Sequence, residues 1–226
     1  SQSIFSEVKQ SIGLSLPLIV TFLVQSSSSF VGTIMLAHLG TNALAAGAIV
    51  GGIYMTIVVF LFGLLAAVSV LVSQSYGAKD HEGVSFAASQ GFIVSLMVTV
   101  PMAIAIWFSP LVLKWTGQNP AIVSLSAYYL HALVFGIIPL GFAVVMEQFL
   151  IGIGKTKLVL FVSLMEVPME IFFCYVLIFG KFGFPRLGIA GLAYGFAIVF
   201  IIVTVILWAI THYGNHCRQY HIFSHV

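Results

Sequence analysis

Long apolar stretches alternate with short polar breaks along the whole chain. A helix needs roughly 20 apolar residues to cross ~30 Å of hydrocarbon at about 1.5 Å per residue. Six stretches meet that length: 12–36, 44–72, 84–108, 121–151, 158–179 and 187–210. The breaks between them read "AHLGTN", "SYGAKDHEG", "LKWTGQNP", "GIGKTK" and "GKFGFPRLG". Each combines Gly or Pro with charged or amide groups, the chemistry of turns. The pattern predicts an all-α integral membrane protein, a bundle of six transmembrane helices over residues 1–211. A polar tail, or the start of a linker, follows over 212–226.

Composition narrows this further. Hydrophobic residues make up 61% of the 226 and charged residues 6%, with a mean hydropathy of +1.16. A soluble domain carries about 25% charged residues, so this chain cannot cover a water-facing globule. The net charge of +2 implies no strongly charged partner. No Lys/Arg cluster points to nucleic acid. Cys174 and Cys217 fall in an apolar run and in the polar tail, so no disulfide framework is expected. The opening "SQSIFSEVKQSIGLSLPLIV" reads as a polar lead-in to a span, not as a cleaved signal.

Six spans put both ends on one side. That side holds Lys9, Lys79, Lys155, Lys157 and Arg218, against Lys114, Lys181 and Arg186 on the other. The excess of cations favours a cytoplasmic N-terminus in the cell membrane. Glycines inside the spans (Gly47, Gly51, Gly52, Gly191 and Gly195) are expected to let helix backbones approach closely.

The acids are the informative residues. Glu7, Asp80 and Glu82 lie in polar segments, whereas Glu147, Glu166 and Glu170 lie inside spans. A charged side chain at the bilayer centre costs on the order of 3 kcal/mol or more, and such residues face a bundle interior or a wet cavity. Glu170 sits about 20 Å along its helix from Lys157, and Glu166 one turn closer. Their i, i+4 spacing places both on one face. Pro168 between them removes a backbone donor. Burial favours the neutral form of a carboxyl, and two neighbours resist holding two charges, so the pair is suited to exchanging a proton. The alternative is a neutral pair that only ties helices together. Glu147 lies about 6 Å from the end of its span, where it is expected to reach the interface or pair with Lys155 or Lys157.

Other polar groups are secondary. Gln25 opens "QSSSSF" and must satisfy several hydrogen-bonding positions. The serines after it read as packing, bonded to preceding carbonyls. His131 reads as a helix-interface histidine with a possible secondary role. His212 with His216 and His221 with His225 are spaced i, i+4, but nothing shows the convergence a metal requires, and no metal is expected.

Several pieces in order then resemble a known family. "FVGTIMLAHLG", "TNALAAGAI", "VSQSYGAKDHEGV", "FLIGIGKTK", "YVLIFG" and "GIAGLAYG" are similar, at matching spacing, to the N-terminal half of multidrug and toxic compound extrusion (MATE) transporters. The resemblance covers nearly the whole chain. It implies one lobe of a twelve-helix antiporter that exports organic cations in exchange for a proton or sodium, with no further cofactor. Its partners would be the bilayer, a cationic small molecule and a second six-helix lobe.

The family pattern matches Gln25, a polar glutamine of the cavity. Gly32 stands where many members place a coupling aspartate, and Glu170 where they commonly carry asparagine. Acidity is thus expected to have moved from span one to span five. Substrate or coupling cation would meet Glu170, Glu166 and Gln25, with Glu147 and His131 secondary.

Competing classes are less well supported. A flippase for a lipid-linked anionic precursor would want Arg or Lys in the cavity, yet the basic residues fall in loops and flanks. An enzyme would want a nucleophile or metal motif, and none is present. A non-transporting scaffold would tolerate Gln at both glutamates.

Overall fold

The computed structural model describes the backbone of residues 2–213, and side chains from 15 to 211 except those of 17, 18, 21, 22 and 25. The chain forms six helices: α1 (Gln2–Ala37), α2 (Thr41–Gly77), α3 (His81–Trp115), α4 (Pro120–Gly152), α5 (Thr156–Phe179) and α6 (Ala190–Tyr213). Five of them, α2 to α6, are long and apolar enough to cross a membrane. The described part of α1 adds the apolar segment Ser26–Ala37. This is a multi-pass membrane protein.

The helices overrun most of the apolar stretches, because different forces end the two. An apolar run stops where hydrocarbon stops. A helix stops where its terminal N–H and C=O groups find other partners. Asp80 ends the α2–α3 turn as an N-cap, its carboxylate accepting from Gly83 N at 2.9 Å. Asn119 does the same for α4 through Ala121 N at 2.9 Å, with Pro120 opening the first turn. Gly154 closes α4 at φ +76°, while Lys155 N returns to Leu150 O at 2.8 Å. That left-handed position suits glycine. Asp80→Ala is expected to cost about 1 kcal/mol through the lost cap. Thermal unfolding in detergent checks this, with Asp80→Asn near the parent.

α4 is the centre of the bundle and packs broadly on α2, α3 and α6. α5 lies against α1 and α6, touching α4 more lightly. Two groups of helices thus meet at α6, and α4 carries the longest run of buried positions, from Ala143 to Leu150.

α6 reaches α5 through small residues. A Cβ placed on Gly191 would lie 2.6 Å from Ile178 N, and one on Gly195 2.9 Å from Cys174 N. Only glycine permits that backbone approach. Gly47 is likewise filled against, by the Leu36 side chain. Gly51 and Gly52 correct the expectation: nothing lies within 4 Å of a Cβ on either. Small residues in a span do not reveal which helix face meets protein.

Candidate functional site

The inward stripe of α5 reads Thr156, Val159, Ser163, Glu166, Glu170, Cys174 and Leu177, all buried. The steps of three and four residues keep one side of the helix toward the bundle. Leu164, Met165 and Phe172 point outward and are exposed. Both glutamates therefore face protein, with Glu166 4% exposed and Glu170 8%. α5 runs unbroken through Pro168.

Each carboxyl has its own surroundings. The Ser28 hydroxyl of α1 donates to Glu170 Oε2, joining positions 142 residues apart. Tyr54 of α2 stands in the field of both Glu170 and Glu166, and also near Tyr129 of α4 and Cys174. Its ring stacks on Phe196 of α6 at 5.9 Å and 12°. Glu170 thus has the Ser28 hydroxyl of α1 and Tyr54 of α2 beside it, and Tyr54 in turn meets Tyr129 of α4 and Phe196 of α6. Glu166 differs. Its Oε2 is buried with no hydrogen-bond partner, and so is the Ser163 hydroxyl one turn earlier.

Glu147 departs from the sequence expectation. It is 6% exposed and makes no ion pair with Lys155 or Lys157. Instead it turns into the bundle, where its charge, like that of Glu170, bears on Glu166. Depth along a span was readable from the chain, but the direction of the side chain around the helix was not. Glu147 sits within the buried Ala143–Leu150 run of α4, so its carboxyl is held among protein groups instead of reaching out to a lysine.

Gln25 lies in α1, and its side chain is outside the described residues. His131 is not brought to the acids. Its Nε2 lies 3.3 Å from the Trp107 carbonyl and its ring 4.4 Å from the Trp107 ring, which ties α4 to α3. Along α4 it is about 24 Å from Glu147. The tail histidines, from His212 on, lie outside the described side chains. Among the described residues no three acids, histidines or cysteines converge as metal ligands.

Ser28 is the residue that sequence reasoning passed over. Its neighbour Ser27 bonds back to Leu23 O at 3.0 Å, as serines in helices often do. Ser28 instead serves a helix far along the chain, a signal absent from local pattern. Gly32, one turn further, faces Leu192 of α6, whose side chain would lie 3.2 Å from an added Cβ. A cavity of about 460 Å³ opens at the end of the bundle that carries the α1–α2 and α5–α6 turns, lined by Leu39, Asn42, Leu125 and Ile189, and none of the acids lines it.

Every Lys and Arg whose side chain is described lies at a helix end or in a turn: Lys79, Lys114, Lys155, Lys157, Lys181 and Arg186. The described interior therefore carries carboxyls with no fixed countercharge.

Comparison with known proteins places this arrangement. The MatE family model matches residues 17–176. A probable multidrug resistance protein NorM of Halalkalibacterium halodurans is 30% identical over 92% of this chain and 47% of its own length. Another, of Rhizobium meliloti, is 34% identical over 82% and 40%. The crystal structure of the eukaryotic MATE transporter AtDTX14 superposes with a TM-score of 0.86 at 19% identity, covering 97% of this chain and 48% of that one. The chain spans about half the length of the curated relatives it matches.

Proposed function

The chain belongs to the MatE family of transporters, and on that premise we propose that it forms one lobe of a cation-coupled antiporter exporting organic cations. Transport, not catalysis, is the activity assigned. The observation that carries the reading is Glu170, a buried carboxyl held by Ser28, with no described Lys or Arg in the interior around it.

The mechanism follows from charge. One ionised carboxyl in a low-dielectric site binds one positive charge favourably and two poorly. An organic cation and a coupling cation would then compete for Glu170. Arrival of one releases the other, which is exchange. The aromatic wall of Tyr54, Tyr129 and Phe196 suits an organic cation, through ring faces as well as apolar contact. Proton coupling is favoured over sodium, because the Ser28–Glu170 pair supplies few oxygens, whereas a metal ion wants several. The second six-helix lobe, on this chain's continuation or on a partner chain, would complete the cleft. Lys9, Lys79, Lys155 and Lys157 lie on one side by the helix topology, against Lys114, Lys181 and Arg186 on the other, which supports a cytoplasmic N-terminus.

The test is transport by the intact two-lobe protein in liposomes loaded with ethidium. A pH gradient is expected to drive ethidium across, and a sodium gradient alone is not. Ethidium that moves only with sodium would reassign the ion, and ethidium that moves with neither would remove the proposal. Ser28→Ala is expected to slow gradient-driven transport about tenfold or more, since a hydrogen bond to a charged group contributes about 1.5–3 kcal/mol and about 1.4 kcal/mol is tenfold in rate.

A further inference from the structure

Glu147 has no task in exchange at Glu170, yet it is buried and interacts with Glu166. The three carboxyls also descend in order. Measured from the end that carries the α2–α3 and α4–α5 turns, Glu147 is about 7 Å in, Glu166 about 15 Å and Glu170 about 21 Å. We propose that Glu147 and Glu166 form a proton relay joining Glu170 to that end of the lobe. The inference rests on the reading of Glu170 as the site of exchange.

Two observations beyond the acids support it. Glu166 Oε2 is buried without a partner, and the fully buried Ser163 hydroxyl one turn away is also without one. A buried oxygen left unmatched costs about 1–3 kcal/mol. A carboxyl that takes up and passes on a proton has use for a free oxygen. A hydroxyl that both donates and accepts can bridge two carboxyls. A metal site is the competing use of clustered acids, but among the described residues the three do not converge on one point.

The surroundings are compatible. Tyr54 faces the pair from α2, Tyr129 and Glu147 lie on α4, and Glu170 and Cys174 lie on α5. Ser28 from α1 and Phe196 from α6 carry no charge. No described Lys, Arg or Asp stands among them. In one passage, the Glu170 carboxylic acid gives its proton to the Glu166 carboxylate as the organic cation arrives. Glu166 passes the proton to the Glu147 carboxylate and is left as carboxylate. Glu147 releases it to water at the bundle end. One proton leaves by that end for each organic cation bound, and each relay carboxyl returns to its starting form.

Glutamine keeps the shape of glutamate but cannot release a proton, so it separates relay from packing. The experiment uses the intact two-lobe transporter in liposomes with ethidium and a pH gradient. Glu147→Gln is expected to lower turnover at saturating ethidium about tenfold, with KM unchanged, and to flatten the dependence on pH at the turn-bearing side. Glu147→Asp is expected to recover most of the rate. Infrared difference spectra between two pH values are expected to lose one carboxyl band in Glu147→Gln, which reads the proton directly whether or not transport survives. Parental turnover and pH response in Glu147→Gln, or a carboxyl spectrum identical to the parent, would overturn the relay. If Glu170→Gln is inactive in the same series, the exchange site still stands. If Glu170→Gln transports normally, the exchange reading falls and takes the relay with it.

Discussion

Glu170→Gln is expected to reduce gradient-driven ethidium efflux to the passive leak, at matched protein in the membrane. The amide accepts the Ser28 hydroxyl as the carboxylate does, so the α1–α5 bond survives and folding should be close to parental. What disappears is the negative charge. An intramembrane carboxylate is costly, on the order of 3 kcal/mol, and removing it without losing the hydrogen bond should if anything stabilise the bundle. The expected signature is therefore a protein that melts as high as the parent or higher and does not exchange. Counterflow of dye without a gradient should be lost as well, because the amide cannot hold either cation. Unchanged efflux with unchanged pH dependence would exclude Glu170 from the mechanism. A scaffold would show that result at both Glu170 and Glu166.

The second large effect is structural. Gly191→Leu places a side chain where Ile178 N and Leu177 C lie 2.6 Å from the new Cβ, and backbone cannot rotate aside as a side chain can. Overpacking in a tight interior costs about 1–3 kcal/mol, and contact with backbone belongs at the upper end. α6 must move off α5. Gly195→Val should do the same one turn on, against Cys174, which is itself one turn from Glu170. Both variants are expected to melt many degrees lower in detergent and to lose transport. Gly52→Leu is the control: its Cβ meets nothing within 4 Å, and its melting should stay near that of the parent. If Gly191→Leu melted with the parent, the close α5–α6 approach would be wrong.

The number and order of helices could be read from the chain because the bilayer imposes one length on every span, and turn chemistry marks the gaps. The MATE resemblance was legible for a different reason: those short segments include the turns themselves, where glycine, lysine and amide positions are constrained. Direction around each helix was less legible. For α5 it came through, since Glu166 and Glu170 are four residues apart and neither belongs in lipid. For α4 it failed, because Glu147 stood near a helix end and a lysine on the next turn offered a plausible partner. The structure instead buries the whole surrounding turn. Ser28 was hidden for a related reason. Its partner is 142 residues away, and a serine in a run of four carries no mark of which hydroxyl leaves its own helix. Gly51 and Gly52 show the converse error: of the five span glycines singled out from the sequence, Gly47, Gly191 and Gly195 make the close contacts and these two do not.

The central place of α4 bears on how the lobe is assembled during synthesis. Released alone into lipid, α4 would expose Glu147 and Gln148 to acyl chains, where unpaired carboxyl and amide groups are penalised. α2 and α3 are made first and form two of its walls, so the nascent hairpin can shelter α4 as it leaves the ribosome. α6, the remaining wall, arrives last and closes the ring. A chain interrupted after α4 would thus leave one flank of its most enclosed helix bare, a natural signal for membrane quality control.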